Sequence, residues 1–148
     1  MNYKRILIVT DDSPSSLKAA RYGYDLAKQL DAKVALLGVL DRTMAEGNVD
    51  AGIFPEQALN DLKKNMKKFL EGVQKDYADD VDTEIFTPEG DVKEVCLQMA
   101  KEWDAQLIVA GTHGRKGLNR LLMGSMAEGI LRDSEVPVFI VPIDGDAK

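Results

Sequence analysis

The run LIVAGTHGRKGLNRLLMGS, Leu107 to Ser125, decides how this chain folds. Its first four residues are apolar on both faces of an extended chain, so they describe a strand that a sheet must bury from two sides. A glycine-bearing turn follows. Met126, Ala127, Ile130 and Leu131 then repeat at helical spacing. An all-apolar strand that hands over to a helix is the unit of a parallel sheet, because parallel neighbours need a long crossover between them.

Working outward, the same unit recurs. KRILIVT (Lys4–Thr10) is a strand ending at Asp11 and Asp12, after which Ser13-Pro14 reads as an N-cap and first helical position. Leu17, Ala20, Tyr24, Ala27 and Leu30 mark the apolar face of that helix, up to a turn at Asp31. KVALLGVL (Lys33–Leu40) is a second strand, and a looser stretch, Asp41–Pro55, follows with Gly47 and Gly52. Leu59, Leu62, Met66, Phe69, Val73 and Tyr77 form the clearest helical stripe. VDTEIFT (Val81–Thr87) alternates apolar with polar, as an edge strand with one wet face does. Pro88-Glu89-Gly90-Asp91 turns into a helix with Val92, Val95, Cys96, Met99 and Trp103 on its apolar side. AQLIVAG (Ala105–Gly111) is the fourth strand, VPVFIVP (Val136–Pro142) the last, and IDGDAK a frayed tail.

Five strands separated by helices predict one α/β domain over residues 1–148: a single open, doubly wound parallel five-stranded sheet, Rossmann-like, with helices on both faces. Ligands of such sheets sit beyond the strands' C-terminal ends, where the winding direction reverses. Two strands end in unusual residues, the first in Thr10-Asp11-Asp12 and the fourth in Gly111-Thr112-His113-Gly114. If those strands are neighbours, the two ends share one crevice.

The chain has 148 residues, 45% hydrophobic and 30% charged, with a formal net charge of −6. That sign works against non-specific nucleic-acid binding, which rests on lysine and arginine meeting phosphates. Local cations beside the glycine turn, Arg115, Lys116 and Arg120, are the groups at hand for an anionic ligand. No apolar run is long enough to span a bilayer. The start, MNYKRILIVTDD, reads as a strand and not as a secretory signal, so the expected compartment is the cytosol. A lone cysteine, Cys96, excludes an intrachain disulfide and multi-cysteine metal frameworks.

The glycine turn matches neither the Walker A loop nor the G-x-G-x-x-G fingerprint. It reads G-x2-G-x9-G-S, with Gly111, Gly114, Gly124 and Ser125. Gly111 and Gly114 let backbone approach a ligand with no Cβ in the way. Gly124-Ser125 precedes a helix whose first N–H groups and partial positive charge suit phosphate oxygens, with the Ser125 hydroxyl as N-cap or phosphate donor. The plain alternative is a turn and an ordinary N-cap, and these residues alone leave both open.

The spacing Gly111-x2-Gly114-x9-Gly124-Ser125, followed by Val136-Pro137-Val138, resembles the ATP-binding signature of universal stress proteins. ILIVTDDSPSS, LLGVLD at Leu36–Asp41 and the Glu89-Gly90-Asp91 turn extend the likeness along the chain. The resemblance implies that fold's strand order, 3-2-1-4-5, and an adenine nucleotide: ATP, or AMP or ADP, with Mg2+ riding on the phosphates. Val9, Thr10 and Asp11 would line the adenine and ribose side, and Val39 would meet adenine through its backbone. Gly111 and Gly114, with His113 and Arg115 between and beside them, would lie along ribose and phosphates. Gly124, Ser125 and the neighbouring Met126 would hold the outer phosphates. Three positions depart from the family pattern: Asp12 for a frequent glycine or bulky residue, Val9 for a frequent proline, and Gly38 for a frequent histidine.

His113, the only histidine, reads as a partly exposed turn residue that bonds locally, since no nucleophile with an orienting acid stands beside it. Asp11 and Asp12 point to opposite sides of a strand end and do not share a metal, and Asp12 is placed to help cap the first helix. Cys96 and Trp103 read as core. Met123 and Met126 flank Gly124-Ser125 and are assigned to core packing as well. The apolar last strand, Val138–Val141, predicts a homodimer that covers its edge, as the resemblance also implies. Three functions are weighed: a nucleotide-binding regulatory module with slow or no hydrolysis, an ATP-using hydrolase or adenylating enzyme, and a nucleotide-free scaffold. TDDSPSS stands where adenylating relatives carry a glycine-rich loop, which ranks the first above the second. The Asp41–Pro55 stretch, with Met44, Ile53 and Phe54, is a candidate lid over the pocket or a surface for a partner.

Overall fold

The computed structural model describes residues 2–41, 55–113 and 123–142. Alternate residues of the first strand, β1 (Arg5–Val9), enter two different cores, and this splits the molecule into layers. Ile6 and Ile8 pack with Ala19, Ala20, Tyr24, Val34, Leu36 and Leu70. Leu7 and Val9 pack on the other face with Ala35, Leu37, Cys96, Ile108 and Ile130. A strand buried from both sides has no room for polar alternation, which is why these runs are apolar throughout.

The remaining elements are α1 (Pro14–Leu30), β2 (Lys33–Leu37), α2 (Pro55–Ala78), β3 (Thr83–Phe86), α3 (Val92–Glu102), β4 (Leu107–Gly111), α4 (Ser125–Asp133) and β5 (Val138–Val141). The sheet is parallel throughout, in the order β3-β2-β1-β4-β5. The winding therefore reverses between β1 and β4, whose register pairs Ile6 with Leu107 and Ile8 with Val109. Helices α1 and α2 cover one face, α3 and α4 the other.

Local chemistry sets the helix ends. Ser13 caps α1, its Oγ accepting the Ser16 N–H at 3.2 Å, and Pro14 fills the first turn where its missing donor costs nothing. The Asp11 carboxylate accepts the Ser13 N–H at 2.8 Å and so supports the cap. Asp91 caps α3 in the same way through the Glu94 N–H. Gly90 before it has φ 140°, a backbone conformation that only glycine adopts without strain.

The strands are shorter than expected, and one helix face differs. Strand β2 stops at Leu37, and beyond it Gly38 and Leu40 donate toward the β3 side, to the Phe86 and Pro88 carbonyls. Gly38 stands where a Cβ would lie 2.7 Å from Met66 Sδ, so α2 closes on this point and a histidine does not fit without repacking. Strand β5 is shorter than Val136–Pro142 and begins at Val138. Leu131, expected on the buried face of α4, is 47% exposed, since that short helix buries Ala127, Gly129 and Ile130. On α2 Val73 of the predicted stripe is buried and the rest is half-buried, while Leu70, one position from Phe69, is fully buried. Among the described residues no helix is long and apolar enough to cross a membrane. The lid candidate falls on residues 42–54, outside the described residues.

Polar contacts join the strands' N-terminal ends. Arg5 lies 4.1 Å from the Trp103 ring centroid and donates from Nε to the Trp103 carbonyl at 2.8 Å. Trp103 Nε1 donates to Glu84, which also pairs with Lys33 Nζ at 3.0 Å. The hydrogen bond from Lys33 holds the Glu84 carboxyl below its ordinary 4.5. A folded value below the unfolded one gives stability that is present above the unfolded value and is lost as pH falls through the folded one. The difference in urea midpoint between the wild type and Glu84→Gln is therefore expected to be small at neutral pH and to close below pH 4.5. A gap that persists once the carboxyl is protonated contradicts this account of the pair.

Cys96 is fully buried on α3 and burial alone pushes its thiol up to about 12. A native sample is expected to resist a thiol reagent at pH 8 and to label once per chain on denaturation. Rapid native labelling would show α3 opening locally.

Candidate functional site

The C-terminal ends of β1 and β4 lie side by side, with α1 leaving toward one face and α4 toward the other. The diverging helices open a crevice between them. On the β1 side, Thr10 is buried: its N–H donates to the Leu37 carbonyl, and its hydroxyl lies 3.2 Å from the carbonyls of both Asp11 and Ser16. Val9 belongs to the core beneath. Val39 buries its side chain in that same core. Because Gly38 and Leu40 donate toward β3, alternation turns the Val39 backbone groups the other way, toward the end of β1.

On the β4 side the chain comes unusually close to α1. A Cβ at Gly111 would lie 2.5 Å from Ser15 Oγ and 2.7 Å from the Ser15 carbonyl oxygen. Glycine is needed here by packing, since the first turn of α1 occupies the room a side chain would take. Ser15 Oγ accepts the His113 N–H at 3.2 Å and lies 3.5 Å from Thr112 Oγ1. Thr112 Oγ1 is in turn 3.1 Å from His113 Nδ1. These contacts pin the glycine turn to α1. Ser15, Ser16 and Thr112 were not among the residues singled out from sequence. The signal available was SPSS at a helix start, where buried serines report a close neighbour.

His113 is 7% exposed, buried where a partly exposed turn residue was expected. Its N–H is tied to Ser15 at the start of α1 and its ring to Thr112 at the end of β4. Its Nε2 is buried and has no hydrogen-bond partner among the described residues. Gly124 N–H donates to the Thr112 carbonyl at 2.8 Å, which brings the start of α4 back to the end of β4. Gly124 itself is the N-cap, with no side-chain capping bond, and Ser125 is the first helical residue instead of the cap. Ser125 is exposed, and Met126 packs against the α3–α4 core. Among the described residues no side-chain capping bond closes the start of α4, and the first N–H groups of a helix suit an anion. Gly114 and Arg115, with Lys116 and Arg120, lie outside the described residues. Among the described residues no three His, Cys, Asp or Glu side chains converge as a metal site.

A separate groove of about 440 Å³ lies at the opposite end of the sheet, lined by Glu94, Lys101, Asp133 and Glu135 among others. Its Lys101 is paired with Glu135 at 3.4 Å, and it lacks the buried polar groups that converge at the β1/β4 crevice.

A doubly wound parallel sheet whose reversal point carries an uncapped helix N-terminus belongs to the broad class of α/β domains that bind anionic ligands there. Within that class, the sequence matches the model of the universal stress protein family over residues 2–142, and the chain belongs to that family. A universal stress protein of Methanocaldococcus jannaschii, MJ0531, is 35% identical over 146 residues, covering 94% of this chain and 82% of its own. The solved structure of the protein MJ0577 superimposes with a TM-score of 0.86 at 25% identity, covering 99% of this chain and 100% of that one. Two further universal stress proteins share the fold. One, solved with cAMP, superimposes at a TM-score of 0.65 and 22% identity, over 96% of this chain and 98% of its own. The other, from Archaeoglobus fulgidus and solved with dAMP, gives 0.64 and 18%, over 95% and 98%.

Proposed function

We propose that this chain is an adenine-nucleotide-binding regulatory module. It is a cytosolic dimer that holds ATP, or AMP or ADP, in the β1/β4 crevice, hydrolyses it slowly or not at all, and uses occupancy to set a conformation or partner contact. The observation that carries the reading is the N-terminus of α4, which no side chain caps among the described residues, brought against the end of β4 beside the buried His113. That arrangement suits phosphate oxygens. The cAMP and dAMP found with two proteins of the same fold support the ligand class.

In this reading Val9, Thr10 and Asp11 line the adenine and ribose side and Val39 offers its backbone to the base. Gly111, Gly114 and Arg115 lie along ribose and phosphates, Gly124 and Ser125 hold the outer phosphates, and Met126 borders them. Mg2+ rides mainly on the phosphates. The dimer forms through Val138–Val141, where Phe139 is 42% exposed on the sheet's edge. Light scattering at micromolar concentration is expected to give twice the chain mass, and a monomeric mass overturns the dimer.

A second reading, a nucleotide-free scaffold, has one observation in its favour. Gly111 and Gly124 both face protein atoms, Ser15 and the Thr112 carbonyl, so each has a packing use without any ligand. Calorimetric titration of nucleotide-free protein with ATP and magnesium, with hydrolysis followed on the same sample, tests the proposal. One site per chain and turnover slower than minutes are expected. A flat titration favours the scaffold, and turnover of several per second moves the chain to the enzymes.

A further inference from the structure

We infer that the outer face of α2 is a self-association surface, on which the α2 of a second copy of this chain packs antiparallel across a two-fold axis at Gly72. The inference is independent of the nucleotide reading. It also concerns a different face from the last strand, because α2 packs beside β3 and α1 while β5 is the opposite edge of the sheet.

The first observation is a glycine with no packing use inside the chain. Gly72 is exposed in the interior of α2, and among the described residues a Cβ built on it would meet nothing within 4 Å. The other helical glycines of the described residues are explained by close neighbours: a Cβ would lie 2.7 Å from Ile8 at Gly23 and 2.7 Å from Lys93 at Gly129. Glycine is among the poorest helix formers, and its use in mid-helix fits a place where another backbone comes close.

The second observation is the order of charge about that glycine. Lys64, Lys68, Gly72, Asp76 and Asp80 follow at steps of four, one ridge of the helix, with the last of them in the turn just past it. All five are exposed. Among the described residues none of the four charged side chains is ion-paired or hydrogen-bonded. In an isologous contact residue i meets j and j meets i, so it suits a row whose two halves are complementary. Turned about Gly72, Lys68 meets the partner's Asp76 and Lys64 meets the partner's Asp80, and each pairing occurs twice. Ridges of this spacing run alongside each other when two helices cross at about −50°, with the glycine at the closest approach. Glu71 and Lys75, whose order is reversed, lie about 100° round the helix from the row. An acidic peptide would satisfy the lysines and leave the aspartates facing like charge. A second copy satisfies both halves, although each chain carries −6 overall.

Sedimentation velocity at rising protein concentration and fixed ionic strength tests the contact. The wild type is expected to reach twice the mass of its smallest species. Lys64→Glu with Lys68→Glu in one chain, and Asp76→Lys with Asp80→Lys in another, set like charges opposite each other. Each pair should weaken the association on the order of a hundredfold. Asp→Lys raises the charge by two at each position, from −6 to −2, so general repulsion falls and a loss there reports the local contact. An equimolar mixture of the two variants restores opposite charges at all four pairings and should regain the doubled species. All four reversals in one chain restore self-complementarity as well, and decide the matter should either double variant fail to fold. Gly72→Gln should raise the urea midpoint of dilute protein, since glutamine is the better helix former, and weaken the association. A wild type that never exceeds the mass of its reversed variants overturns the inference, as does a mixture that stays at the smaller mass. Loss on reversal without recovery on mixing would assign the lysines to a partner of other chemistry.

Discussion

Gly111→Val is expected to lower the unfolding free energy by about 3 kcal/mol, at the upper end of overpacking effects. The added Cβ would meet Ser15 Oγ at 2.5 Å and the Ser15 carbonyl oxygen and carbon at 2.7 and 2.8 Å. Two of those three atoms are backbone, so rotating a side chain does not relieve the contact. The first turn of α1 has to lift from the end of β4, and the bonds from Ser15 to His113 and Thr112 go with it. At roughly 2–4 °C per kcal/mol for a chain of this size, the midpoint of thermal unfolding should fall by about 10 °C. Urea denaturation measures the loss directly. Ser15→Ala in the same chain removes only the hydroxyl and should restore a minor part. A stability equal to the wild type would mean that α1 does not sit where it is described.

Gly124→Val separates function from fold in the opposite sense. Gly124 has φ −64° and ψ 156°, which any residue adopts, and its added Cβ would lie 3.1 Å from the Thr112 carbonyl oxygen. The expected cost is about 1 kcal/mol, from that contact and from a poorer N-cap. The same side chain would fill the place between the start of α4 and His113, where the proposed phosphate sits. Losing two or more charge-assisted hydrogen bonds should weaken ATP on the order of hundredfold. Titration of both proteins beside their urea midpoints gives the answer. Full affinity in a folded Gly124→Val would reduce the glycine segment to a turn.

The sheet was legible because burial from two sides leaves a plain mark. Lys33–Leu37, Leu107–Gly111 and Arg5–Val9 carry no polar alternation, and only a covered parallel sheet asks for that. The strand order came with the family resemblance, and the structure has it. Boundaries were less legible at Gly38, where α2 closes on the chain, and at Leu131, where a short helix buries too narrow a face. Both depend on neighbours distant in sequence.

Of the site, sequence reading found the two strand ends and placed them across one crevice, and the topology puts them there. It saw in Gly111 a missing side chain without seeing that Ser15 fills the room. It read His113 as partly exposed, because nothing local says that residues 15 and 112 will wall it in. It offered Ser125 as N-cap or phosphate donor, and the cap falls one position earlier, at Gly124. A turn residue's burial is decided by contacts some hundred positions apart, and a motif of spaced glycines does not contain them.

The central claim is that the β1/β4 crevice holds an adenine nucleotide. Its most direct test is to denature the freshly purified protein, identify any released nucleotide by chromatography and mass spectrometry, and follow with an ATP–magnesium titration of stripped protein. About one adenine nucleotide per chain at saturation is the predicted result, and ATP retained through purification would also show that turnover is slow. Protein that releases no nucleotide and stays flat in the titration would contradict the claim.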